Sequence, residues 1–70
     1  MKANKVIEAI FELEDSDNTS ASAIADHIGG SVVDVITICG QLKNDGLIED
    51  VVGGYGLTDA GMDRLEVLTA

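Results

Sequence analysis

In SASAIADHIGGSVVDVITICGQLKNDGLIED (residues 20–50) two helical rhythms meet at a glycine pair and then give way to a β-rich run. Ala21, Ile24, Ala25 and Ile28 fall on one face, so a short helix is predicted from Ala21 or Ser22 to Ile28, where Gly29-Gly30 stops it. Ser31 has N-cap chemistry, and Asp34 three residues later gives a near capping box. A third helix is therefore expected over residues 32–45, with Gly46 as its C-terminal stop. Val35, Cys39 and Leu42 share a narrow arc of that helix, flanked by Val32 and Ile38, and this arc is the predicted buried face. After Gly46, Leu47-Ile48-Glu49-Asp50-Val51-Val52 reads as a strand. Gly53-Gly54 then reads as a hairpin turn, and Tyr55-Gly56-Leu57 as the returning strand.

The flanks extend this pattern. Val6, Ile7, Ile10, Phe11 and Leu13 recur at three- and four-residue spacing, which predicts a leading helix over residues 2–14. Asp15-Ser16-Asp17-Asn18-Thr19-Ser20 collects turn and cap residues and reads as a loop ending at a helix start. Thr58 is placed to cap a last helix over residues 59–69, with Asp59 in its first turn. The predicted order is α-α-α-β-β-α, mainly helical with a small β-hairpin, in a single domain over residues 1–70.

Size and charge bound the function. A chain of 70 residues and 7.3 kDa folds to about 4,000 Å² of surface and buries only about 60% of what it exposes unfolded. That supports one thin core without a deep substrate cavity, so the expectation is a protein that binds and does not catalyse. Four Lys+Arg stand against 13 Asp+Glu, a net charge of −9, while 46% hydrophobic residues argue for a folded chain. Such a charge opposes docking on nucleic acid or anionic lipid. No apolar run is long enough to span a membrane, and no signal-peptide block follows Met1. With Cys39 as the single cysteine, a cytoplasmic location is expected.

Three segments carry a family resemblance. SASAIADHIGGS (residues 20–31) resembles the opening of a helix-turn-helix. VITICGQLKNDGLIED (residues 35–50) resembles a recognition helix running into a first wing strand. GYGLTDAG (residues 54–61) resembles a second wing strand leading to a closing helix. In order and spacing the chain is similar to winged helix-turn-helix domains of small transcription regulators, and the similarity covers nearly everything from Ser20 onward. The resemblance implies that the third helix lies in the major groove of duplex DNA while the wing reaches a neighbouring groove or phosphate. Carried over by position, the outward face is Val33, Asp34, Thr37, Gly40, Gln41 and Asn44, with Gly53, Gly54 and Tyr55 at the wing. Thr37, Gln41 and Asn44 are then the candidate base readers, Val33 a candidate thymine-methyl contact and Lys43 the phosphate contact.

The chain departs from the family in its charge. Lys43 is the one base of the third helix, and residues 47–57 hold no Lys or Arg but add Glu49 and Asp50. An exposed mid-helix Gly40 costs about 1 kcal/mol relative to Ala, and close approach of another backbone is one reason to keep it. The alternative reading is therefore an acidic interaction module or adaptor that binds a basic protein partner instead of DNA. Two circumstances would restore DNA binding. An acidic surface poor in Lys resembles proteins of salt-loving organisms, and in molar salt the Debye length falls to about 3 Å. A dimer could also gather Lys2, Lys5, Lys43 or Arg64 on one face. Ala60, Met62, Leu65, Val67 and Leu68 cover more of the last helix than one contact needs, which suggests a homodimer through that helix.

Other chemistries find little support. Asp15, Asp17, Thr19 and Asp26 loosely follow a calcium-loop register, but the loop glycine is Ser20 and the final glutamate is replaced. His27 and Cys39 are too few for zinc, and Gly53-Gly54 leads to no helix N-terminus bearing a Lys. No cofactor or metal is expected.

Overall fold

The computed structural model describes the backbone of residues 2–69 and the side chains of residues 3–68. Helix α1 (Lys2–Leu13) runs into a 3₁₀ turn (Glu14–Ser16). Helices α2 (Ala21–Ile28) and α3 (Val32–Asn44) follow, then strands β1 (Ile48–Val51) and β2 (Gly54–Leu57), and α4 (Asp59–Thr69) closes the order. The element order matches the one expected. The described residues thus form four α-helices and a two-stranded antiparallel hairpin, a layout compatible with a small winged-helix-like fold.

Periodicity places the core. Val6, Ile7, Ala9 and Ile10 of α1, Ile24 and Ala25 of α2, and Val35, Cys39 and Leu42 of α3 are buried together with Leu47, Ile48 and Leu65. Each fully buried Ile or Val contributes about 1.5–3 kcal/mol of transfer free energy, so α1, with three of them, is the element the others pack around. Phe11 departs from expectation and is 45% exposed. α1 carries more apolar residues than one helix face can bury, and Phe11 lies at the margin. The accessible surface is 4209 Å², close to the value expected from mass.

α2 and α3 turn by 112° across the short break between them. A helix-turn-helix places its helices at about 90–120° across a turn of this length. Gly29 ends α2 in the left-handed region (φ 71), and its N–H donates to the Ala25 carbonyl. Ser20 caps α2 as a side-chain acceptor for the Ala23 N–H at 3.2 Å. The corresponding cap on α3 is corrected: Ser31 has extended backbone, but its hydroxyl makes no capping hydrogen bond. Ser31 is exposed, so water can satisfy the first N–H groups of α3, and its carbonyl accepts from Val35 at 3.0 Å.

Two further features hold the C-terminal half. The Thr58 hydroxyl donates to the Gly46 carbonyl at 2.6 Å and accepts from the Gly61 N–H at 3.1 Å. One side chain thus caps α4 and ties its start to the end of α3. Gly61 is buried where α4 crosses the chain after α3, and a Cβ there would run into the Leu47 carbonyl oxygen.

The hairpin turn is also corrected. Val51 pairs with Gly54, so the two-residue turn is Val52-Gly53, and Gly54 is the first residue of β2. Either adjacent glycine satisfies a turn in isolation. Gly54 is instead required on the strand, because its backbone (φ 145) lies against Thr19.

The two caps differ in a measurable way. Thr58→Ala is expected to lower stability by about 1–2 kcal/mol, and Ser31→Ala by no more than about 0.5 kcal/mol. Urea midpoints of the two variants check this; equal losses would contradict the assigned capping geometry.

Candidate interaction face on the third helix

The exposed side of α3 is opposite the arc formed by Val35, Cys39 and Leu42. Val33 (71% exposed), Ile36 (53% exposed), Thr37, Gly40, Gln41, Lys43 and Asn44 all lie outside the core. The structure thus brings the sequence-predicted residues of this helix together on one surface. Val32, expected to flank the buried arc, is exposed, and with Val33 and Ile36 it gives this surface an apolar edge. Their exposure follows from the register: three apolar residues already fill the buried arc, leaving the others to solvent.

The polar groups are partly committed. The Thr37 hydroxyl donates to the Val33 carbonyl at 3.1 Å, the common i−4 bond of a helical threonine. Lys43 Nζ donates to Asp50 Oδ2 at 2.6 Å, with both side chains substantially exposed. This hydrogen bond and the charge of Asp50 raise the Lys43 pKa, so its ammonium stays charged at neutral pH. A surface ion pair contributes little stability, but it neutralises the one cation expected to hold phosphate. Gly40 has open space around it: a Cβ there would meet nothing within 4 Å. Among the described residues no contact therefore explains this glycine.

The wing residues are placed differently from their expected role. A Cβ at Gly53 would approach the Asp17 carbonyl oxygen to 2.6 Å, and one at Gly54 would collide with the backbone of Thr19 and Ser20. The Thr19 N–H donates to the Gly53 carbonyl at 3.1 Å. The Tyr55 N–H donates to the Thr19 carbonyl at 3.1 Å and to the Thr19 hydroxyl at 3.0 Å. Thr19 itself is only 5% exposed. Gly53 and Gly54 therefore seat the hairpin on the loop before α2, and half-buried Tyr55 packs against the core. The free apex is Val52, fully exposed. Nothing local in the sequence signals Thr19, whose partner lies 36 residues away.

Elsewhere the surface is acidic. Glu14, Asp17 and Glu49, with Val51, Val52 and Tyr55, line a shallow cleft of about 320 Å³ between the 3₁₀ turn and the hairpin. A second cleft, about 280 Å³, lies between α1 and the α2–α3 turn, where Lys5, Ile28, Asp34 and Ile38 line it. His27 Nε2 lies 3.3 Å from Glu12 Oε1 and links α2 to α1. Burial pushes the Cys39 thiol up to about 11, partly offset by Lys43, so it stays protonated at neutral pH. Among the described residues no group of three or more His, Cys, Asp or Glu could hold a metal ion, and no single helix is long and apolar enough to cross a membrane.

The two glycines give opposite expectations. Gly40→Ala should stabilise the protein by about 1 kcal/mol, since a methyl meets only solvent and improves helix propensity. Gly54→Ala should cost at least about 2 kcal/mol, through backbone strain and the collision with Thr19. Chemical denaturation of both variants decides; a destabilised Gly40→Ala would mean that this glycine has an intramolecular role.

No protein-family model and no curated protein matches the sequence. Among solved structures, the chain is similar to the hypothetical protein SSo2273 from Sulfolobus solfataricus, with a TM-score of 0.86 and 19% identity. The match covers 96% of this chain and 53% of that one, so the chain spans about half the length of that protein. At this identity the likeness concerns the fold.

Proposed function

We propose that the chain is a winged-helix-type domain of the transcription-regulator kind that works by binding, and that its third helix docks on a protein partner. The winged-helix assignment is supported by the α-α-α-β-β-α order, by the 112° turn between α2 and α3, and by the hairpin placed after α3. The preference for a protein partner rests on one observation, the Lys43–Asp50 ion pair. Phosphate contacts supply most of the non-specific affinity for DNA. The only Lys or Arg between Lys5 and Arg64 is Lys43, and it is already matched by a carboxylate. The hairpin adds no cation and has Gly53 and Gly54 turned to the loop before α2. The exposed apolar edge of α3 suits a protein surface better than a phosphate backbone.

Duplex DNA is the second reading, favoured by the exposure of Thr37, Gln41 and Asn44 on α3. Molar salt would screen the net charge and weaken the Lys43–Asp50 pair together. An amide NMR titration with mixed-sequence duplex DNA, run at low salt and in molar KCl, separates the readings. The expected result for the wild type is no shift over residues 31–44 or 52–55 in either buffer. Shifts confined to those residues would overturn the preference for a protein partner, and their appearance only in molar KCl would identify adaptation to salt.

A further inference from the structure

Resting on the reading of α3 as a protein-binding face, we infer that its contact point is the hollow bounded by Val33, Ile36, Thr37 and Gly40, and that its occupant is a large apolar side chain on an amphipathic helix bearing Lys and Arg. Residues at i, i+3, i+4 and i+7 of a helix frame the diamond into which a knob from a facing helix fits. These four positions are such a diamond, and all four are exposed. Val33 and Ile36 supply apolar walls. Gly40 leaves one corner open, because among the described residues nothing beyond its chain neighbours and its own helix backbone lies within 4 Å of where its Cβ would be. The one polar side chain of the frame, Thr37, already donates its proton to the Val33 carbonyl. Covering the hollow therefore strands no hydroxyl donor, which is the usual cost of burying such a group.

Charge selects among occupants for this hollow. A second copy of the chain would bring −9 against −9. A basic helix instead meets the complementary field of a chain of net charge −9, with Asp45 just past the end of α3, while Asp50 is balanced by Lys43 and Glu49 lines the cleft beside the 3₁₀ turn. Gln41 and Asn44 stand on the polar side of the diamond, as the hydrogen-bonding rim of a contact with an apolar centre.

The test uses two synthetic helical peptides with the same leucine ridge, one carrying lysine and the other glutamate at every remaining position. The readouts are amide NMR shifts and calorimetric affinity, and sedimentation reports the mass of the free protein. The Leu/Lys peptide is expected to shift residues 33–44, to bind less tightly as salt rises, and to lose at least tenfold in affinity with Gly40→Leu and with Ile36→Ser. The Leu/Glu peptide should not bind. Gly40 is exposed and unobstructed, so Gly40→Leu should keep its helical circular dichroism and a urea midpoint no lower than that of the wild type. Shifts on α3 that are unchanged by Gly40→Leu, or equal with both peptides, overturn the hollow and the charge assignment while leaving α3 a protein-binding face. If neither peptide shifts α3, both proposals fail. Dimer formation that is abolished by Ile36→Ser makes the occupant a second copy and overturns the basic partner.

Discussion

Thr19 fixes the relation between the two halves of the molecule. Through its N–H, carbonyl and hydroxyl it holds Gly53 and Tyr55, and its backbone leaves no room for a side chain at Gly54. Once the hairpin is seated there, β1 lies beside α3 and Asp50 comes within hydrogen-bond distance of Lys43. The electrostatic character of the α3 face thus depends on a bond network made in the loop before α2. A hairpin of four-residue strands has little stability of its own in water. Its position comes from Thr19 on one side and from Ile48, Tyr55 and Leu57 against the core on the other.

The core was legible because periodicity reports a face. Val35, Cys39 and Leu42 lie on the one arc of α3 that meets α1 and α2, as their spacing requires. The helix limits of α2 and α4 followed from their caps and stops in the same way. Long-range relations carried no such signature. Thr19 stands in a polar run that reads as a loop, and its pairing with Gly54 adds a parallel bridge that no local pattern encodes. The position of the turn was ambiguous because Gly53 and Gly54 are chemically identical, and only the approach of Thr19 distinguishes them. Ser31 shows the opposite error, since good cap chemistry did not produce a side-chain cap on α3.

For the candidate site, the sequence placed Val33, Thr37, Gly40, Gln41 and Asn44 on one surface, because helical geometry alone decides that. It could count the bases of α3 but could not reveal that Lys43 is engaged, since Asp50 reaches it only through the hairpin's placement. Val32 and Ile38 both read as flanks of the buried arc, and only the packing of the whole fold leaves Val32 exposed while Ile38 lies against the core. Helix register is a local property, whereas exposure and charge pairing depend on the whole fold.

The bridge at Thr19 also bears on how the protein behaves when crowded. A two-stranded sheet has two open edges, and open edges recruit strands from other molecules. Here the outer side of β2 is occupied at its first residues by Thr19, so an incoming strand finds those backbone groups already bonded. β1 is only four residues long and carries Glu49 and Asp50, two charges that a pairing strand would have to accommodate. The same contact that seats the hairpin therefore guards a small sheet, with Val51 and Val52 exposed at its tip, against edge-to-edge aggregation.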